Sequence, residues 1–218
     1  ALTVLACALQ AVQVDDGAQY RNVTEANADA RSGFEPFGAA PRAGAALLLG
    51  FGFPDGHPNL DAFPALSIEL AAWTQPDPTV PLQRACGGGS TRAYAPATLQ
   101  WEGWNGTQWV KLDGLSDESL ALTRSGHAVV RVPANAQLKR AHLGDYEAVD
   151  STTGKAQPPL FWLRWRLVAT QHEQPPRLLA LRINTVPALQ AQTVRDEVLG
   201  GSTGEPLQRL AFANKPVL

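Results

Sequence analysis

Leu99-Gln-Trp-Glu-Gly-Trp-Asn-Gly-Thr-Gln-Trp-Val-Lys-Leu112 is the stretch whose reading decides the fold. Asn105-Gly106 sits between two aromatic-rich runs, the strongest local signal for a β-hairpin. Both central residues of a type I′ turn need φ > 0, which Asn and Gly tolerate best. A two-residue turn sets the register. Trp104 faces Thr107, Gly103 faces Gln108, Glu102 faces Trp109, Trp101 faces Val110, and Leu99 faces Leu112. Cross-strand partners share a face. Leu99, Trp101, Val110 and Leu112 therefore look into a core. Glu102, Trp104, Thr107, Trp109 and Lys111 form a second face, with two tryptophans where solvent is expected.

The hairpin belongs to a chain of 218 residues, 44% hydrophobic and 17% charged, with a formal net charge of −2. That length suits one large β domain or two small ones. The charge balance holds no basic excess for nucleic acid and no acidic tail. No apolar run approaches the roughly 18 residues needed to span a membrane. Ala1–Leu9 is apolar but lacks a basic start and runs on into Val12 and Val14, so it reads as a strand, not a signal peptide. Cys7 and Cys86 form no metal or redox motif; one disulfide or two free thiols both fit, and free thiols in a reducing compartment are favoured. The lack of any methionine, together with the ending Lys215-Pro-Val-Leu218, suggests a piece excised from a longer protein.

Outward from the hairpin, short extended segments recur. Leu2–Val14, Ala45–Phe53, Ala65–Trp73, His127–Val132, Phe161–Leu167, Arg177–Thr185, Pro187–Leu199 and Leu207–Phe212 read as strands. Phe161, Leu163, Trp165 and Leu167 point one way; Trp162, Arg164 and Arg166 point the other. Leu179, Leu181 and Ile183 are expected inward. Asp15–Gly33 reads as a loop with a helical turn. Phe34–Gly44 is a strap pinned by its aromatics, Pro54–Pro58 a turn, and Pro133–Pro159 a long polar connection. Residues 75–92 read as a mobile loop open to proteolytic nicking. No segment keeps a 3.6-residue period over three turns. The pattern predicts an all-β fold: an antiparallel β-sandwich, jelly-roll or galactose-binding-like, with long loops and little helix. It is one domain over 1–218, with 186–218 leading to the next domain.

Catalytic and cofactor patterns are weak. Gly87-Gly-Gly-Ser-Thr-Arg92 lacks the Lys-Ser/Thr ending of a phosphate loop. His57, His127, His142 and His172 are scattered, without metal-ligand spacing. His142 with Asp145 lacks a nucleophile elbow. Asp117-Glu118 and Asp196-Glu197 are adjacent pairs, so on a strand each pair splits between two faces. Asp113, Asp145 and Asp150 offer oxygen ligands outside any EF-hand spacing. The expectation is no catalytic residue, no metal and no cofactor. The arginines are more informative: Arg131, Arg164, Arg166 and Arg182 fall opposite the apolar side of their strands. Such a face is either solvated, with arginine stems covering the sheet, or a docking surface, because Arg and Trp are enriched at interface hot spots. If they share a sheet with Trp104, Trp109 and Trp162, they form an Arg/Trp-rich interface.

Five stretches, in order, resemble the large baseplate assembly (baseplate wedge) proteins of contractile phage tails and phage-tail-like injection systems. They are Phe34-Glu-Pro-Phe-Gly38 with Leu47-Leu-Leu-Gly-Phe51; Trp101–Trp109; Leu122-Thr-Arg-Ser-Gly126; Trp162-Leu-Arg-Trp-Arg166; and Ile183-Asn-Thr-Val186 with Glu197-Val-Leu-Gly200 and Pro216-Val-Leu218. Residues 1–33 match least. The resemblance implies an accessory β-domain beside a baseplate J-like wedge core that is not in this sequence. It also implies a structural role in the ring around the central spike, which passes the contraction signal to the sheath. Other baseplate subunits are then the partners, in a virion or tail-like particle assembled in the bacterial cytoplasm, with no nucleic acid and no membrane span. No catalytic residue carries over. The alternative is a carbohydrate-binding module stacking sugars on its exposed tryptophans, with a glycan as partner.

The division of faces has a direct test. Trp101→Ala is expected to cost about 3–5 kcal/mol in chemical denaturation through a core cavity. Trp104→Ala should cost less stability and weaken association instead. Equal stability losses would place both tryptophans in the core.

Overall fold

Trp101 and Trp165 face each other on neighbouring antiparallel strands, their rings stacked 4.6 Å apart at 12°. Both are buried, and the main core forms around them. The computed structural model describes residues 7–53, 63–75, 95–185, 201–204 and 207–209. The chain divides into two compact units, Ala1–Thr185 and Val186–Leu218. In the first, β1 (Ala8–Asp15), β2 (Tyr20–Asn22) and a short helix α1 (Thr24–Ala28) precede β3 (Ala46–Gly52) and β4 (Leu66–Thr74). The hairpin follows as β5 (Ala97–Trp104) and β6 (Trp109–Lys111), then β7 (Asp113–Asp117) and β8 (Gly126–Val132). A 3₁₀ turn (Ala134–Ala136) leads to β9 (Arg140–Ala141), β10 (Leu160–Thr170) and β11 (Leu178–Ile183).

These strands form two antiparallel sheets that pack as a sandwich, as the hydrophobic pattern predicts. The first has the order β2-β1-β3-β10-β5-β6, with β9 beside β10; the second has the order β11-β4-β8-β7. Leu47, Leu49, Phe51, Trp101, Phe161, Leu163 and Trp165 of the first meet Ile68, Leu70, Ala128, Val130, Val132 and Leu181 of the second. Leu112, between β6 and β7, is where one edge strand leaves the first sheet for the second. Its N–H still donates to Trp101 O at 2.8 Å while its side chain is buried.

The outer face of the first sheet is also a core. Ala11, Ala46, Leu48, Leu160 and Trp162 lie beneath Tyr146, with Trp104, Trp109, Ala141 and Leu143 packed at the margin. The long connection before β10 supplies that cover. Gln13, wholly buried, holds it down: its Nε2 donates to Leu143 O at 3.0 Å and its Oε1 accepts from Asp145 N at 2.9 Å. Gly144 has φ +59, and a methyl there would collide with Gln13 and Tyr20. Coverage on both sides explains why every residue of β3 is buried and why its sequence is apolar without alternation. A fully buried tryptophan removes about 150–250 Å² from water, roughly 4–6 kcal/mol at about 25 cal/mol per Å². Trp162 therefore contributes as much outside the sheet as Trp165 does inside.

Four sequence expectations change. The hairpin pairs Glu102 with Lys111, Gly103 with Val110 and Trp104 with Trp109, so its loop spans Asn105 to Gln108. Only Gly106 has positive φ there (+102). Asn105 instead uses its side chain, Oδ1 accepting from Thr107 N at 3.0 Å and Gln108 N at 2.9 Å. The shift is two residues, so the faces survive: Trp101 and Leu112 inward, Trp104 and Trp109 outward. In β11 a register shift between Leu178 and Ala180 puts Leu178 and Leu181 in the core and leaves Leu179 half-buried, where it was expected inward. After β7 the chain makes an unforeseen left-handed turn, Leu120, Ala121 and Leu122 having φ of 51°, 58° and 64°. That conformation costs roughly 1–2 kcal/mol per residue. The Asp117 carboxylate offsets it by accepting from Ser119 N and Ala121 N, each at 2.9 Å, and the turn seats Leu122 in the core. Finally, Leu207–Arg209 are not strand, and Leu207 is 96% exposed. The Pro54–Pro58 turn, Cys86, nearly all of the 75–92 loop, the Pro187–Leu199 strand and the rest of the last strand lie outside the described residues.

β11 is an edge strand, and its outer side is closed from within the chain. Asn27 on α1 acts as a substitute strand residue: its Nδ2 donates to Leu181 O at 3.2 Å and its Oδ1 accepts from Leu181 N at 2.7 Å. Phe34 continues the seam with two 2.8 Å backbone bonds to Leu178. This cover removes a template for edge-to-edge pairing. Asn27→Leu, which keeps the bulk, leaves Leu181 N–H buried without a partner and leaves Leu181 O with only the 2.9 Å bond from Arg182 Nη1. The expected loss is about 2 kcal/mol by urea denaturation; a loss below about 0.5 kcal/mol would mean that water replaces the amide.

Candidate functional site

A row of cross-strand neighbours, four of the five polar, runs through the outer apolar face. Gln13, Leu48, Arg164, Glu102 and Lys111 are successive cross-strand neighbours on β1, β3, β10, β5 and β6. Glu102 is the junction, 8% exposed. Its carboxylate accepts from Arg164 Nε at 2.6 Å and from Arg166 Nε and Nη2 at 3.1 Å and 3.0 Å. Burial alone would raise the Glu102 carboxyl, but the hydrogen bonds from Arg166 and Arg164 outweigh it and hold the group below its ordinary value. Glu102 is thus ionised at neutral pH and binds two guanidinium groups that would otherwise repel each other.

The tryptophans complete the cluster. The Arg164 guanidinium lies over the Trp109 ring, 4.3 Å from its centroid. Trp104 meets Trp109 edge to face, centroids 5.4 Å apart at 65°. Both rings are half-buried, and Arg166 is the more exposed of the two arginines, its side chain 30% open against 17% for Arg164. Trp104, Trp109, Arg164 and Arg166 therefore share one surface, built by β5, β6 and β10.

The other three residues expected there lie elsewhere. Trp162 is on the same face but has no exposed surface: Tyr146 packs edge-on against it at 5.6 Å, and its Nε1 donates to Ala141 O at 2.9 Å. Arg131 stands on β8 in the second sheet, exposed and paired in register with Ser67 and Asp113. Arg182 stands on β11, where its guanidinium donates to the carbonyls of Asn27 at 2.7 Å and Ala28 at 3.2 Å, tying down the end of α1. Alternation within a strand gives the facing but not the sheet, and that separates these residues from the cluster. Glu102 was placed on this face by alternation, but its role depends on the β5–β10 register, which no local pattern carries.

His127, His142, His172 and Asp150 are each engaged separately. His127 meets Glu69 at 2.7 Å on the second sheet, His142 meets Gln157 O at 2.9 Å, and His172 meets Thr170 at 2.8 Å. Asp150 accepts from Thr152 N, Thr153 N and Gln157 Nε2 within its own turn. Among the described residues no group of three or more His, Cys, Asp or Glu side chains is placed to hold a metal ion. Among them, too, no helix is long and apolar enough to cross a membrane. The buried Cys7 thiol is pushed up to about 12, chiefly by desolvation, so it stays protonated at neutral pH. The sequence matches no protein-family model and no curated protein.

Glu102→Gln measures the cluster. Removing the charge leaves Arg164 and Arg166 facing a neutral amide, and the partly open arginines soften the loss to about 2 kcal/mol at pH 7. Because folding lowers this carboxyl, its contribution is present above the unfolded value of 4.5 and is lost as pH falls through the folded value. The stability gap between wild type and variant should be full at pH 6–7 and shrink progressively as pH falls below 4.5. A gap independent of pH would mean that the loss comes from packing.

Proposed function

We propose that this β-sandwich is a structural docking module, and that the Trp104–Trp109–Arg164–Arg166 surface meets another subunit of a contractile-tail or injection-system baseplate. The observation that carries the docking surface is the ordering of that cluster before any partner arrives. Trp109 is capped by Arg164, Arg164 is fixed by Glu102, and both tryptophans keep part of their surface open. Half-open aromatic and arginine side chains on a rigid sheet lose little conformational freedom on association, which is what an interface hot spot requires. The baseplate setting rests on the five ordered stretches that resemble the wedge proteins. A role without chemistry of its own fits the state of Glu102, whose charge is consumed by two internal arginines.

Sugar stacking on these tryptophans has less support. A stacking platform needs an open ring face, and one face of Trp109 is occupied by the Arg164 guanidinium.

The test uses Trp109→Ala and Arg166→Lys in the full-length protein. Lysine keeps the charge but lacks the planar fork. Reversing both arginines is a poor probe, because it would break the tie to Glu102 and unsettle the sheet. Variants that keep the wild-type thermal midpoint within a few degrees but leave particles incomplete support the proposal. Normal particle yield from folded variants overturns this choice of surface.

A further inference from the structure

A second site lies beside the hairpin loop. There the loop and the 3₁₀ turn after β8 enclose a cleft of about 370 Å³. Its polar lining comes from Asn105, Thr107, Lys111, Asn135, Gln137 and Lys139, and no carboxylate is among its lining residues. Two ammonium groups in one cleft are unusual in a chain whose net charge is −2. Among the described residues neither lysine's ammonium group makes a hydrogen bond or ion pair. Glu102, the cross-strand neighbour of Lys111, is already taken by Arg164 and Arg166.

The cleft is built, not incidental to a floppy surface. Leu138 is 1% exposed and sits over Gly103, where a methyl would come within 2.6 Å of it. That anchor brings Gln137 and Lys139, on either side of it, to the cleft. Gln137 is held at φ +48, and Lys139 N donates to Trp104 O at 3.0 Å. On the hairpin side, the Asn105 Oδ1 is saturated by Thr107 and Gln108, which leaves its Nδ2 end as a donor.

We propose that this cleft binds an acidic saccharide, a sugar ring carrying a carboxylate. The two lysines supply the charge for the carboxylate. The amides of Asn135 and Gln137 both donate and accept, which is what ring hydroxyls need. The volume lies within the range of small-ligand sites and exceeds what a lone inorganic anion fills. No aromatic side chain lines the cleft, so an apolar ring or a nucleobase has nothing to stack on. The cleft borders the docking surface through Lys111, uses none of that surface's four residues, and does not rest on the docking reading.

The experiment is titration of the full chain with tetragalacturonate by calorimetry at low salt. Tetragalactose, inorganic phosphate and tetraglutamate serve as comparisons. The expected result is saturable binding of tetragalacturonate only, weakened at least about tenfold by Lys111→Ala or Lys139→Ala and reduced by salt. Both lysines are exposed, so the variants should keep the wild-type thermal midpoint. Absence of tetragalacturonate binding overturns the proposal. So does equal binding of tetragalactose, or unchanged affinity in both folded lysine variants. Phosphate binding as tight as tetragalacturonate would show a site for inorganic anions, and equal tetraglutamate binding a site for acidic peptide; either result overturns the saccharide assignment.

Discussion

Strand β10 pairs with β5 so that Trp165 faces Trp101 and Arg164 faces Glu102. One register thereby sets both surfaces of the first sheet. Inside, it stacks the two largest rings of the main core. Outside, it places a carboxylate between two arginines and one of those arginines over Trp109. A slip of one residue would exchange the faces, burying two guanidinium groups in the sandwich and exposing Trp165. The cost of either error, several kcal/mol per misplaced group, is large against the stability of a typical domain. The central strand can therefore settle in only one way.

The first sheet is organised in three layers: the sandwich core, the sheet, and the cover made by the connection before β10. The cover lies close because the sheet is shaped for it. Gly50, the cross-strand partner of Trp162, leaves room for that ring and for Leu160, and a methyl there would come within 3.0 Å of the one and 2.8 Å of the other. The edges are treated differently. α1 and the strap at Phe34 seal β11, whereas β7 is fully exposed, bears Asp113 and Asp117 and has an irregular register. Charge and irregularity are the usual means of keeping an open edge from pairing with another chain.

These layers sort the polar residues by task. Gln13 and Asn27 are buried amides, each closing a seam with two hydrogen bonds. Asp117 and Asp150 lock turns. Glu102 draws the outward arginines into a fixed array, so that the surface meets a partner already ordered. Lys111 and Lys139 keep their ammonium groups without a counter-ion among the residues that line their cleft.

The sequence by itself determined the fold class and the facing of most strands. Alternation of period two and the apolar run of β3 are local consequences of burial, legible without knowing what covers each face. It also placed Trp101 in the core and Trp104, Trp109, Arg164 and Arg166 outward, because a two-residue error in the hairpin register preserves parity. Tertiary structure alone decided which sheet each strand joins, and so separated Arg131 and Arg182 from the Arg/Trp cluster. It alone brought Glu102 between Arg164 and Arg166, across about 60 residues of chain. Trp162 marks the boundary most clearly. Its direction follows from alternation, but its burial depends on Tyr146 and Ala141, residues of a polar connection whose path over the sheet is set by Gln13 from the other end of the domain. Such contacts depend on packing between distant segments, and a local pattern carries no record of them.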